Sequence, residues 1–185
     1  MKPDGERRLV YRFSGARYAP RNLRRVTKFK GGGIMVWGCI LRTGERGLVR
    51  VTKSITGRVY RSVLRCVVCK FPMLRAAPYL DDKIVFQQDN ASCHTSKIVE
   101  RYMLRNRFLV LPWPPLSPDL NPIESVWAIM ARALRGRCFA NAEELWRAVR
   151  KEWNAVSVTQ LVGLYDSIPR RLAAVREARG DATRY

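Results

Sequence analysis

The sequence predicts an α/β fold in which a mixed sheet is flanked by helices and followed by a helical C-terminal tail. Three observations predict it. Strand patterns dominate the first part of the chain, strand and helix patterns alternate in the middle, and amphipathic helical patterns fill the end. A length of 185 residues with 47% hydrophobic content suffices for one core of ordinary size. We therefore expect a single domain over residues 1–185.

The first part of the chain reads as three strands followed by a helix. Residues 7–13 predict a strand, and the basic residues 16–30 predict an exposed connection that ends at a triple glycine. Residues 34–41 are almost continuously apolar, which is typical of a strand covered on both faces. Alternating residues 47–55 predict a further strand, and residues 57–76 predict a helix.

In the middle of the chain, two short strands enclose a helix. Residues 83–89 predict a buried strand that ends on polar side chains, and residues 108–113 predict a strand that prolines terminate. Between them, residues 96–106 predict a helix. Its apolar residues share one face: Val99, Tyr102 and Met103.

The clearest helix start is at Asn121. This residue fits an N-cap, Pro122 fits the first turn, and Glu124 fits the third-position acid of a capping box. The apolar stripe of this helix comprises Ile123, Val126, Trp127, Met130 and Leu134. Residues 141–155 and 159–178 predict two more amphipathic helices.

The charge of the chain indicates a nucleic-acid partner. There are 35 Lys and Arg residues against 15 Asp and Glu, a net charge of +20, which attracts polyanions. Residues 1–50 contain thirteen of the cations and three of the acids. Six cations with interspersed aromatic residues are predicted to contact a phosphate backbone, although a solvated arm is the alternative. They are Arg17, Arg21, Arg24, Arg25, Lys28 and Lys30.

Several function classes are not indicated. No apolar run approaches the ~18 residues of a membrane span, and the N-terminus does not resemble a signal peptide. We therefore expect no membrane partner and no secretion. The triple glycine lacks the Gly-Lys-Ser/Thr of a phosphate-binding loop, so ATP use is not indicated. Five cysteines without a secretory context favour reduced thiols.

Cys66 and Cys69 form a CVVC sequence that would suit zinc in a metal-stabilised scaffold. No second CxxC and no paired histidine accompanies it. We therefore rank this hypothesis below the interpretation of both residues as buried structural cysteines.

Two acids are placed where they could face a shared cleft. Asp89 follows a buried strand, in QQDNASCHTS, and Glu124 lies in the first turn of a helix, in SPDLNPIESVW, with 34 residues between them. Taken singly, Asp89 could be a turn residue and Glu124 a capping acid. His94, the only histidine, could be a site residue or a core residue.

At these residues the sequence resembles the mariner-type, or Tc-like, transposases. The resemblance extends through GGGIMVWGCI, VFQQDNASCHTS, LPWPPLSPDLNPIESVW and the tail EELWRAVRKEWNAVS to LYDSIPRRLAAV. It implies a ribonuclease H-like fold with catalytic acids in the order Asp, Asp, Glu, of which Asp89 is the second and Glu124 the third. Residues that match the motif around the acids are Asn90, His94, Asn121 and Trp127.

The resemblance also implies the chemistry. The family cleaves DNA strands and transfers them to new sites, using two Mg²⁺ or Mn²⁺ ions that stabilise the attacking and leaving oxygens. We accordingly expect Asp89 and Glu124 to be both catalytic and metal-binding residues. DNA is the expected partner, with a homodimer as an alternative to the monomer, and the expected location is the nucleus in a eukaryote or otherwise the cell interior.

One part of the family pattern is not found. The family's first Asp lies on a strand upstream of the residues that MKPDGERRLVYRF resembles, and Asp4 and Glu6 align with a turn. We therefore expect a partial DDE transposase catalytic domain without its first strand, without the N-terminal helix-turn-helix module, and with an incomplete metal site. Whether it is an enzyme stays open. The alternative is a catalytically dead basic module that binds nucleic acid.

Overall fold

A computed structural model describes residues 33–68, 71, 85–115, 117–179 and 183. Several predictions concern residues outside these ranges and are not tested by the structure. They are the strand over 7–13, the connection over 16–30 with its six cations, the acids Asp4 and Glu6, and most of the end of the helix predicted over 57–76. Within that end Phe71 is described and is not helical, so the helix does not continue through this residue as predicted.

The first described element is a β-hairpin. Strand β1 (Met35–Ile40) pairs antiparallel with β2 (Arg46–Val51), with Trp37 opposite Val49. Gly44 in the connecting turn has φ +95°, a conformation that glycine adopts without a steric penalty. Both strands lie where the sequence predicts them, but β2 ends at Val51 rather than continuing to residue 55.

Strand β1 is covered on both faces, as predicted. Val36 and Ile40 pack on one side against a core cluster that includes Met130, Trp153 and Leu161. Trp37, which points the other way because strand side chains alternate, packs against a second cluster around Tyr60 and Leu64. Helices therefore bury both faces of the hairpin, although Met35 at its end stays half exposed.

The second cluster is built by two helices and two short strands. Helix α1 spans Gly57–Val68 and helix α2 spans Lys97–Arg105. Strand β3 (Val85–Phe86) pairs parallel with β4 (Leu109–Val110). Val99 and Met103 of α2 are buried and Tyr102 packs beside them, which confirms the predicted face of this helix.

Strands β3 and β4 are shorter than predicted. Pro112, Pro114 and Pro115 follow β4 closely, and proline cannot donate a hydrogen bond to a strand ladder. Within the described residues, β1–β2 and β3–β4 form separate two-stranded sheets. One pair is antiparallel and the other parallel, so both strand directions of the predicted mixed sheet are present.

Helix α3 (Pro122–Leu134) begins at Asn121, whose side chain accepts from the N–H of Ile123 at 3.4 Å. The predicted capping box is wrong. The N–H of Asn121 donates to the carbonyl of Pro118 at 3.0 Å, within a 3-10 turn over Pro118–Leu120. This N–H is therefore engaged by the turn, and the carboxylate of Glu124 is not used for capping.

The C-terminal tail is helical, as predicted, but it contains three helices. Helix α4 spans Ala142–Ala155, α5 spans Val158–Asp166, and α6 spans Ile168–Glu177. The single helix predicted over 159–178 is divided at Ser167, because Pro169 lacks the N–H that would continue the ladder and fits only the first turn of a new helix. None of the described helices is long and apolar enough to cross a membrane.

Gly38 in β1 allows the hairpin to approach helices α3 and α4 closely. The rings of Trp127 in α3 and Trp153 in α4 are stacked with centroids 5.2 Å apart. A Cβ atom at Gly38 would lie 2.7 Å from the first ring and 2.8 Å from the second. Position 38 therefore accepts no side chain without displacement of an indole.

Candidate active site

Asp89 lies three residues after β3, in a turn that its own side chain closes. Its Oδ1 accepts a hydrogen bond from the N–H of Ala91 at 3.1 Å. The side chain is 64% exposed, so the carboxylate faces solvent. Asp89 therefore forms a turn, which is one of the two predicted interpretations. Its other carboxylate oxygen, Oδ2, accepts no hydrogen bond from the described residues.

His94 contacts Asp89 directly. Its Nδ1 lies 2.6 Å from Oδ1 of Asp89 and 3.3 Å from the carbonyl oxygen of the same residue. The imidazole packs against the ring of Tyr60 in a tilted arrangement, with centroids 4.1 Å apart and an interplanar angle of 35°, and its side chain is only 15% exposed. His94 thus contacts a core residue, Tyr60, and the candidate ligand, Asp89. It combines the two interpretations that the sequence left open, a core residue and a residue beside the site.

Tyr60 supports the turn at Asp89 from the core. It is 1% exposed, and its hydroxyl donates to Oε1 of Gln88 at 2.7 Å. Burial raises the pKa of Tyr60 far above its ordinary value, so the hydroxyl keeps its proton and remains a donor. The sequence indicated no site role for Tyr60 or Gln88, because their contact joins residues 28 positions apart.

The two predicted supporting asparagines act on the backbone. Nδ2 of Asn90 donates to the carbonyl of Trp113 at 2.7 Å, which ties the Asp89 turn to the segment after β4. Asn121 caps α3, as described above. Within the described residues, neither side chain forms a hydrogen bond to a carboxylate of the site, so both position the elements that carry the acids.

Glu124 occupies the first turn of α3 and shares a cleft with Asp89. The pKa of Glu124 is raised, first by partial loss of water around its carboxyl group and second by the negative charge of Asp89. The cleft has a volume of about 350 Å³. Both carboxylates line it, together with Asn90, Trp113 and Asn121.

The arrangement joins two carboxylates that repel each other in a solvent-accessible cleft. Oxygen ligands of this kind suit Mg²⁺ or Mn²⁺. Among the described residues, no group of three or more His, Cys, Asp or Glu side chains forms a metal-binding cluster. The described residues therefore offer two acidic ligands and a histidine hydrogen-bonded to one of them.

Comparison with known proteins decides the family. The family described as DDE superfamily endonuclease matches residues 1–154. The chain belongs to this family. The Tcb1 transposase of Caenorhabditis briggsae is 38% identical over 171 residues, which cover 92% of this chain. This segment is 61% of that relative's length, and the resemblance to Tc-like transposases is confirmed.

Solved structures confirm the fold of this DDE family member. The catalytic domain of Mos1 mariner transposase matches with a TM-score of 0.71 and 19% identity, over 81% of this chain and 76% of that one. The Mos1 paired end complex with Mn matches with a TM-score of 0.75 and 21% identity, over 96% of this chain and 52% of that one. The predicted ribonuclease H-like fold is therefore confirmed.

A buried arginine of this DDE domain was not predicted. Arg171 in α6 is 3% exposed. It donates to the carbonyl of Asp119 and to the hydroxyl of Ser125, each at 2.7 Å, and to the hydroxyl of Ser167 at 2.8 Å. Arg171 thereby holds both the turn before α3 and the residue next to Glu124.

The remaining predicted sites are not placed. The six cations between Arg17 and Lys30 lie outside the described residues, so their contact with a phosphate backbone stays a prediction. Cys66 is an exposed free thiol on α1, so the prediction of a buried structural cysteine is wrong at this position, and Cys69 is not described. The zinc hypothesis therefore gains no support from the described part of the chain.

Proposed function

We propose that this chain is the catalytic part of a transposase that cleaves DNA strands and joins them to new sites, with Asp89 and Glu124 as its metal ligands. The main support for this proposal is that both carboxylates line one cleft and that the charge of Asp89 contributes to the raised pKa of Glu124. Such repulsion costs free energy in the absence of a cation and strengthens binding of one.

The donor set fits Mg²⁺ or Mn²⁺. Asp89 offers Oδ2, and Glu124 offers a carboxylate that the helix does not use as a cap. The Mos1 paired end complex that this fold matches contains Mn. When bound, divalent ions would stabilise the charge on the attacking and leaving oxygens of the phosphodiester.

The protein groups around the acids fix their orientation. His94 donates from Nδ1 to Asp89 when that nitrogen carries a proton, and the imidazole packs against the tilted ring of Tyr60. This contact leaves the opposite carboxylate oxygen for a ligand. In the proposed reaction a water oxygen attacks the phosphorus and the bond to the 3′-oxygen breaks, which frees a 3′-hydroxyl. That hydroxyl then attacks a target phosphodiester and displaces another 3′-oxygen.

A Mn²⁺ titration tests the proposal. We expect Asp89→Asn and Glu124→Gln each to lower Mn²⁺ affinity at least about 10-fold, since losing even an outer-shell partner costs that much. Glu143→Gln is the matched control, because Glu143 also lies in the first turn of a helix but pairs with Arg50. Unchanged Mn²⁺ affinity in both cleft variants, measured by calorimetry, would refute the metal-site assignment.

The second candidate is a basic module that binds nucleic acid without cleaving it. The net charge of +20 favours it, as does the fact that, within the described residues, the cleft between Asp89 and Glu124 contains no third acid. Plasmid nicking with Mn²⁺ distinguishes a transposase with an incomplete metal site from a module that only binds DNA. If the metal site is incomplete, nicking by this chain should be feeble and should increase when an Asp-bearing strand is added upstream. Strong nicking by the chain alone, lost in Asp89→Ala, would contradict an incomplete site.

Location and assembly are also proposals. We propose a nuclear location in a eukaryotic host, where the DNA substrate lies, and an interior location otherwise. A homodimer is proposed as the alternative to a monomer.

A further inference from the structure

Six cations of α1 and α2 have no acidic partner among the described residues. They are Arg58, Arg61, Arg65, Lys97, Arg101 and Arg105, and all six are exposed. We call them the cationic face. Three arginines elsewhere on the described surface pair with acids: Arg42 with Asp166, Arg50 with Glu143, and Arg137 with Glu152.

Helix geometry places the three arginines of α1 together. At about 100° per residue, positions 58, 61 and 65 fall within about 60° of one another around the axis. Gly57 meets Ser96 and Ile98 at the start of α2, and Val67 meets Gly47 of β2. These contacts fix the α2 side and the sheet side of the helix. By the same geometry, the three arginines lie on the outer flank next to α2.

The cations of α2 lie on the outward side of this helix, opposite the buried Val99 and Met103. Positions 97, 101 and 105 fall within about 80° of one another around the axis. Glu100 and Leu104 lie on the other side of Lys97 around the axis, where they line a cleft with Asp89. Glu100, the only acid of α2, is about 60° from Lys97 and at least about 100° from Arg101 and Arg105, so it borders the cationic face at Lys97 alone.

The cationic face starts beside the carboxylate cleft. The first turns of α1 and α2 meet at Ser96, two residues after the His94 that contacts Asp89. From there the cations extend about 10 Å along α1 and about 12 Å along α2, at 1.5 Å per residue. Double-stranded DNA presents about six or seven phosphate charges over such a length.

We propose that the cationic face binds the phosphate backbone of a DNA duplex as it leaves the carboxylate cleft. This inference rests on the proposed function, because it takes DNA as the substrate. A duplex suits the surface better than a single strand, which would need exposed aromatic rings for its bases. Tyr60 is buried in α1, and Tyr102 packs against the core in α2. The face thus offers charge without a stacking platform.

The test is the salt dependence of duplex binding by the full chain in EDTA. The α1 triple variant carries Arg58→Gln, Arg61→Gln and Arg65→Gln. We expect its slope of log affinity against log salt to be shallower by about 2–3, since each lost phosphate contact removes about 0.9. A companion variant with lysine at the same three positions retains the charge and should retain the slope.

A matched control removes three charges from the opposite side of the hairpin. It carries Arg147→Gln, Arg150→Gln and Lys151→Gln, all exposed in α4, and should keep the slope of the unchanged chain. Thermal melting checks that each variant folds, because exposed substitutions usually change stability by less than about 0.5 kcal/mol. Mn²⁺ affinity should be unchanged in both triples.

Equal slope losses in the two triples would overturn the inference, because net charge alone would then explain binding. An unchanged slope in the α1 triple would overturn it while leaving the metal site intact. Tighter binding of single strands than of duplex would also overturn it. If the unchanged chain binds no duplex at any salt concentration, the proposed function fails together with this inference.

Discussion

The two faces of the β1–β2 hairpin are covered by helices of different character. On the α3–α4 side, Trp127 and Trp153 pack against Gly38, and arginines at the edge pair with acids. On the α1–α2 side, the helices carry cations without acidic partners in the described residues. The helices differ in their acids: α4 carries Glu143, Glu144 and Glu152 among its cations, whereas α1 and α2 together carry six exposed cations and one acid.

The candidate site lies where the two sides meet. Asp89 belongs to the turn supported by Tyr60 in α1, and Glu124 begins α3 on the other side. Each core cluster therefore contributes one carboxylate. We therefore expect substitutions on the α3–α4 side to lower mainly the free energy of unfolding. Substitutions of the exposed cations on the α1–α2 side should lower mainly the affinity for DNA.

The largest effect tests the packed side. Trp153 is 3% exposed and belongs to the larger core cluster. We expect Trp153→Ala to lower the free energy of unfolding by about 3–5 kcal/mol, because a large cavity replaces the indole. Urea denaturation followed by circular dichroism measures it. A loss below about 1 kcal/mol would mean that the α3–α4 side is not the stabilising layer.

An intermediate effect tests the connection between packing and site. Arg171→Met removes charged hydrogen bonds to two hydroxyls and one carbonyl. We expect a loss of about 1.5–3 kcal/mol in the free energy of unfolding, the range for hydrogen bonds to charged groups. Mn²⁺ affinity should fall as well, because the start of α3 is released. Arg170→Met, on the exposed neighbour in α6, is the control and should change neither quantity.

The smallest effect has the opposite sign. The folded-state pKa of Glu124 is raised, so its contribution to stability is present at acid pH and is lost as the pH rises through the raised pKa. Glu124→Gln should therefore stabilise the metal-free chain at pH 7 by roughly 0.2–1 kcal/mol, the range for exposed charges. The advantage should vanish at acid pH. Denaturant titrations at several pH values in EDTA measure it, and destabilisation at pH 7 would contradict the repulsion.

The sequence predicted the placement of the two acids because that placement is local. Asp89 follows a short apolar run, and Glu124 follows an Asn-Pro helix start. The hydrogen-bond partners of these segments were harder to predict from the sequence. The capping box failed because the carbonyl of Pro118 takes the N–H of Asn121, and a pattern of residue types does not reveal that competing acceptor.

Long-range polar contacts were the least predictable part. Arg171 reaches residues 46 and 52 positions away, and within an arginine pair on an amphipathic helix it looks like a solvated cation. The break at Ser167 could have been predicted, since Pro169 cannot continue a helix. The cationic face needed the structure, because only the contact between α1 and α2 brings its two rows together.

Gly38 gives the packed side a geometric role in the cleft. With only a hydrogen atom between the strand backbone and two indoles, the helix that begins near Glu124 lies nearer to the hairpin than a larger residue would allow. A methyl group there would act as a wedge beneath Trp127, one turn along the helix from that acid. The position of the helix that carries Glu124 is thus set partly by the smallest residue of a strand that contributes nothing to the lining of the cleft.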